Sequence, residues 1–128
     1  MTTSQQLVTK VDFATVPTQD FERAAQFYGE VLGLPCSVRY GRIPGGEFET
    51  GNLTLQVIET AAVGMDFVPS KNPFALHVED VEAARSELES RGVSFLRDTL
   101  DSGVCYMAPF EDPDGNLLML HHRYAPRD

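Results

Sequence analysis

No stretch of the chain approaches the roughly 20 consecutive apolar residues that span a bilayer, which excludes a transmembrane helix from the expected elements. The opening Met-Thr-Thr-Ser-Gln-Gln lacks the basic-then-apolar layout of a signal peptide, so the expected location is the cytoplasm. Cysteine is scarce. Cys36 and Cys105 stand far apart and in no CxxC arrangement, and in a reducing compartment they read as free thiols in strands. Positive charge is also short: 10 Lys and Arg face 19 Asp and Glu, a formal net charge of −9. Such a surface repels a phosphate backbone, so no nucleic-acid partner is expected, and the excess acid serves solubility or a cationic ligand. The GxSxG elbow, the GxxxxGK[ST] phosphate loop and GxGxxG are all missing, which removes the usual signs of a serine nucleophile or a nucleotide site.

What is present is a weak repeat. One copy runs from Phe13 through Asp20 to Gly33, the other from Pro73 through Asp80 to Gly92. Asp20 matches Asp80, Glu22 matches Glu82 and Ala24 matches Ala84, all at one spacing. Each copy begins with strand-like alternation and then becomes helical. The aspartates are placed to cap first-turn N–H groups, the glutamates favour the positive end of the helix dipole, and Gly33 and Gly92 suit the left-handed exit. Further strands are expected over 35–40, 47–50 and 52–59, then over 93–97, 103–108 and 116–123. Pro44-Gly45-Gly46, Gly51-Asn52 and Asp112-Pro113-Asp114-Gly115 supply the turns. The 128 residues therefore read as one domain. A first βαβββ module covers about 10–60, a connector covers 61–72, and a second module covers about 73–124.

A tandem βαβββ pair resembles the vicinal-oxygen-chelate superfamily, which includes glyoxalases, dioxygenases and bleomycin-resistance proteins. The residues carrying the resemblance are Phe27-Tyr28-Gly29-Glu30-Val31-Leu32-Gly33-Leu34, His77-Val78-Glu79-Asp80 and Asp112-Pro113-Asp114-Gly115-Asn116. It implies an α+β fold in which two modules form a cupped, partly open eight-stranded mixed sheet with helices on the convex side. It also implies a metal-ligand position on the first and last strand of each module. Those positions hold Phe13, Gln56, Pro73 and Met119 here. A divalent ion wants imidazole or carboxylate donors, and none of the four is one. No metal, no cofactor and no catalytic residue is therefore assigned.

Alternation places one face of each strand in the cup. Phe13, Thr15, Gln56, Ala75, His77, Met119 and His121 line it, the mixture of apolar and orienting polar groups expected of a small-molecule pocket. Tyr106 joins them as an aromatic that could stack on a ligand, as could Phe48 and Tyr40, although alternation does not settle how their strands face. His77 and His121 read either as hydrogen-bonded structural histidines or as a relocated metal site with Gln56. His122 reads as a surface group, and no carboxylate is expected in the cup.

The leading expectation is a metal-independent homodimer that sequesters a hydrophobic or aromatic molecule such as an antibiotic, like the bleomycin-resistance branch. One alternative is an enzyme of the same fold (lyase, isomerase or dioxygenase) using a relocated metal or a histidine acid–base. The other is an accessory or regulatory subunit with a vestigial cup.

Overall fold

The two aspartates expected to start the helices do so in the computed structural model, which describes residues 5–127. Asp20 accepts from the Arg23 amide at 3.2 Å and Asp80 from the Ala83 amide at 3.0 Å, satisfying first-turn donors that have no helical partner. The chain runs β1 (Phe13–Thr18), α1 (Phe21–Gln26), β2 (Cys36–Arg39), β3 (Gly45–Glu49) and β4 (Thr54–Glu59). After a 3-10 turn (Thr60–Val63) follow β5 (Phe74–His77), α2 (Val81–Ser90), β6 (Leu100–Asp101), β7 (Cys105–Glu111) and β8 (Leu117–Arg123). Cys36 and Cys105 are free, in β2 and β7.

Each module folds its strands in the same pattern, β1-β4-β3-β2 and β5-β8-β7-β6, with the outer pairs β1–β4 and β5–β8 parallel and the rest antiparallel. This is the expected α+β, two-module fold. Its eight strands are hydrogen-bonded as two four-stranded sheets, and β1 and β5 are edges of them.

Gly45 and Gly46, expected in a turn, open β3, a short β6 was not expected, and two elements differ more deeply from the sequence expectation. The first helix does not run as α-helix to Gly33. Instead α1 opens into a π turn (Phe27–Val31), in which the Leu32 amide reaches back to the Phe27 carbonyl at 2.9 Å. The wider turn lets the adjacent Phe27 and Tyr28 both enter the core, at 8% and 0% exposure. The strand expected over 93–97 is reduced to a single bridge, Phe95 with Phe110, and pairing resumes only at Leu100 opposite Met107. Pro109 lies between those points on β7. It accepts from the Leu96 amide but has no N–H to return, so the ladder cannot continue there.

The face of each sheet that alternation assigned to the helices is the buried one. Val16, Phe48, Leu55 and Val57 of the first sheet and Ala108, Phe110, Leu118 and Leu120 of the second share one core with Phe21, Ala24, Tyr28, Val81 and Leu88. Each large side chain buried this way contributes about 1.5–3 kcal/mol.

The modules are also joined by the turn between β7 and β8. The Tyr28 hydroxyl donates to Asp112 at 2.6 Å, the Asn116 amide donates to the Pro17 carbonyl at 2.8 Å, and Asp114 accepts from Thr18, the Gln19 amide and Arg23. The turn thus fastens the second module to the end of β1 and the start of α1.

Burial, followed by the neighbouring Asp112 carboxylate, holds the Tyr28 phenol far above its ordinary value of 10.0. An unfolded tyrosine ionises near pH 10 while this one stays protonated, so the folded chain keeps more protons above that pH. Stability is therefore full below about pH 10 and falls as pH rises beyond it. Urea unfolding between about pH 8 and pH 11 should show that decline, and Tyr28→Phe should flatten it. An unchanged slope in Tyr28→Phe would remove Tyr28 as its source.

Candidate functional site

The faces left free by the helices carry the residues assigned to the cup, Tyr106 excepted, in two patches. On the first sheet Phe13 is paired in register with Thr54 and Thr15 with Gln56. Phe13 is half exposed, at 50%. The Thr15 hydroxyl donates to Gln56 Oε1 at 2.9 Å, Gln56 Nε2 donates to the Tyr40 hydroxyl at 3.2 Å, and that hydroxyl donates to Glu47. A polar chain therefore crosses β1, β4 and β3 and ends on a carboxylate. Burial, then the bond to Glu47, raises the Tyr40 phenol above its ordinary value. Beside it Glu49 accepts from Ser37 at 2.5 Å and Thr54 at 2.6 Å, and those two hydroxyls hold its carboxyl below the usual range.

On the second sheet β5 and β8 set Ala75 beside Met119 and His77 beside His121, while β7 adds Pro109 opposite Met119 and Met107 opposite His121. Leu118 and Leu120 point into the core, and Met119 and His121 remain partly exposed on the other face. This patch is softer and more apolar than the first. Among the described residues, no side-chain hydrogen bond links the two patches. The side-chain contacts that tie the modules lie on the helix side or at strand ends.

Several expectations need correction. Tyr106 does not join the cup. Its register partner is His122 and it stacks on Tyr124 at 4.7 Å, on the face opposite Met107 and Met119, because it shares parity with buried Ala108 and Phe110. Phe48 is a core residue, 1% exposed, and is unavailable to a ligand. Carboxylates do face the cup side: Glu47 lies opposite Gln56 and Glu49 opposite Thr54. The signal was present in the sequence, since Glu47 and Glu49 flank Phe48 and must take the face it does not. The side chain drawn to His77 is His122, with ring centroids 5.7 Å apart. This happens where β5 stops and β8 continues beyond it.

The positions that hold the metal in this type of fold offer it little. Phe13 and Pro73 have no donor, and Met119 supplies only a thioether. The Gln56 amide is already committed at both ends, to Thr15 and Tyr40. That set does not fit a divalent ion that prefers imidazole and carboxylate.

A concavity of ligand size lies elsewhere. A cleft of about 630 Å³ runs along β5 on the helix side, between Leu34, Leu53, Phe74, Leu76 and Leu88, with Glu87 and Arg91 also lining it. Of the residues assigned to the cup, only Ala75 and His77 line it. Its volume is within the range of small-molecule sites, and its walls are mainly the apolar flanks of the shared core, with Thr50, Asn52, His77, Glu87 and Arg91 as the polar groups.

Paired βαβββ modules, helices on one face and a free face of mixed lining define a vicinal-oxygen-chelate protein. The sequence profile of the Glyoxalase/Bleomycin resistance protein/Dioxygenase superfamily matches residues 10–120, and the chain belongs to that superfamily. It is 29% identical over 114 residues to the uncharacterized protein YraH of Bacillus subtilis (strain 168), covering 80% of this chain and 89% of YraH. The fold superposes with a TM-score of 0.81 on TnmS3, an antibiotic binding protein from Streptomyces sp. CB03234, at 23% identity over 93% of this chain and 99% of that one. Lactoylglutathione lyase from Agrobacterium tumefaciens is similar too, with a TM-score of 0.76 at 15% identity over 91% and 95%. Among the described residues no helix is long and apolar enough to cross a membrane.

Proposed function

We propose that this chain is a metal-independent, cytoplasmic binding protein that sequesters a hydrophobic or aromatic small molecule such as an antibiotic. The observation that carries this reading is the first-sheet patch. Where a metal site would begin, an exposed phenyl ring shares the free face of β1 and β4 with an amide already oriented by Thr15 and Tyr40. Such a surface stacks on a planar ligand, and the second lone pair of Gln56 Oε1 and the second hydrogen of Nε2 stay open to it in a fixed orientation. TnmS3, described as an antibiotic binding protein, supports the reading by likeness of fold.

The working unit is a homodimer. Phe13, Ala75 and the unpaired edges β1 and β5 are exposed on one chain, and a second copy covers them while bringing the two kinds of patch together. Light scattering should give the mass of two chains.

Isothermal titration of chelator-treated protein with a panel of planar polycyclic aromatic compounds tests ligand capture. Saturable binding is expected without added metal, weakened about tenfold in Phe13→Ala, the loss of one aromatic contact. Absence of binding across the panel, or binding restored only by a metal ion, contradicts the proposal.

One observation favours a second reading, an enzyme using acid–base chemistry: the Tyr40–Glu47 hydrogen bond at the end of the chain from Thr15. Its mark would be chemical change of a bound ligand, followed by mass spectrometry, and loss of that change in Glu47→Gln.

A further inference from the structure

We propose that His77, Glu79 and His122 form a surface site for a late first-row divalent cation, separate from the positions where the fold ordinarily holds its metal. The three residues come from different places in the chain: the end of β5, the link from β5 to α2, and β8. One ligand atom from each lies within 4.8 Å of the others. His77 Nε2 and Glu79 Oε1 are 3.0 Å apart, close to the edge of a small coordination polyhedron. All three side chains are accessible enough to close the remaining distance by small torsional changes, since His77 and Glu79 are exposed and His122 is half-buried.

His122 is the better organised of the two histidines. Its Nδ1 sits 3.1 Å from the Val78 carbonyl, an acceptor only, so Nδ1 carries the hydrogen and donates it. The lone pair is then on Nε2, free to coordinate. A ring held by a backbone carbonyl through its other nitrogen is the usual support of a metal-bound histidine. Two imidazoles and one carboxylate match zinc, cobalt(II) or nickel(II) rather than magnesium or calcium, which prefer an all-oxygen set. Three protein donors leave at least one position for water or for an oxygen of a ligand. His77 also lines the cleft along β5, so the cation would stand at the cleft's rim. A bound cation would also tie the end of the edge strand β5 to β8, where Val78 already donates to the His121 carbonyl at 3.0 Å.

His77 also belongs to the cup lining, but Glu79 and His122 do not, so cation binding is read apart from ligand capture and either can fail without the other. Tag-free full-length protein, stripped with a chelator and dialysed, is titrated with cobalt(II) chloride and then with zinc chloride. One equivalent of cobalt should produce a visible ligand-field band that zinc abolishes. His77→Ala and His122→Ala should each weaken binding by more than the roughly 10–100-fold that losing a supporting outer-shell partner costs, because each removes one of only three protein donors. His121→Ala, on the cup side, should bind as the parent does. The substituted positions are at the surface, and circular dichroism checks that each variant is folded. No saturable one-equivalent signal, retained affinity in folded His122→Ala, or loss of affinity in His121→Ala would each overturn the assignment.

Discussion

Asp112→Ala is expected to destabilise the chain by about 3–5 kcal/mol, because it leaves several buried donors without their acceptor. Asp112 is 5% exposed, and its carboxylate accepts from the Tyr28 hydroxyl, the Asp114 and Asn116 amides and the Asn116 side chain, at 2.6, 2.9, 2.9 and 2.8 Å. Alanine abandons the Tyr28 hydroxyl in a residue with no exposure and leaves two backbone donors of the turn without their acceptor. Each unsatisfied group costs about 1–3 kcal/mol, so the sum reaches the stated range even with partial relaxation. Tyr28→Phe removes only one donor and should cost about 1–2 kcal/mol. Urea denaturation of both variants measures the difference. A loss below about 1 kcal/mol for Asp112→Ala would show that the turn does not fasten the modules.

Phe110→Ala should cost a similar amount, about 3–5 kcal/mol, for a different reason. The ring has no exposed area and lies 5.1 Å from Phe95 and 6.5 Å from Phe27, centroid to centroid. Phe27 belongs to the first module and Phe95 to the second, so truncation opens a cavity where the two share their core. The surrounding β7 and β8 backbone is pinned by paired strands and closes the space only in part. Phe110→Leu, which refills most of the volume, should recover more than half the loss. If the alanine and leucine variants were equally stable, packing at the seam would not be the source of the cost.

Much of the fold was legible because its signals are local. Asp20 and Asp80 cap helices through their own side chains, Gly33 and Gly92 take positive φ, and alternation correctly divided β1, β4, β5 and β8 between core and free faces. What was hidden depends on partners distant in the chain. Pro109 interrupts a strand some 14 residues before it, at Phe95–Leu96, which only their pairing reveals. The π turn serves the joint burial of Phe27 and Tyr28, and that follows from what they meet: Phe110 and Asp112. The site was divided in the same way. Phe13, Thr15, Gln56, Met119 and His121 follow from parity. Tyr40 joins Gln56 across the sheet, and His122 approaches His77 only because β8 outruns β5. Tyr106 was misplaced for want of one fact, that Ala108 and Phe110 turn inward.

Capture of an aromatic molecule by the free sheet faces, without a metal, has a structural signature. The most direct measurement is a crystal structure of chelator-treated protein with the tightest binder from the aromatic panel. The ligand's ring is expected against Phe13 and Gln56 of one sheet, with Met119 and His121 of the other sheet closing over it. Ligand density in the cleft between Leu34, Leu53, Phe74 and Leu76, with the sheet faces bare, would contradict it.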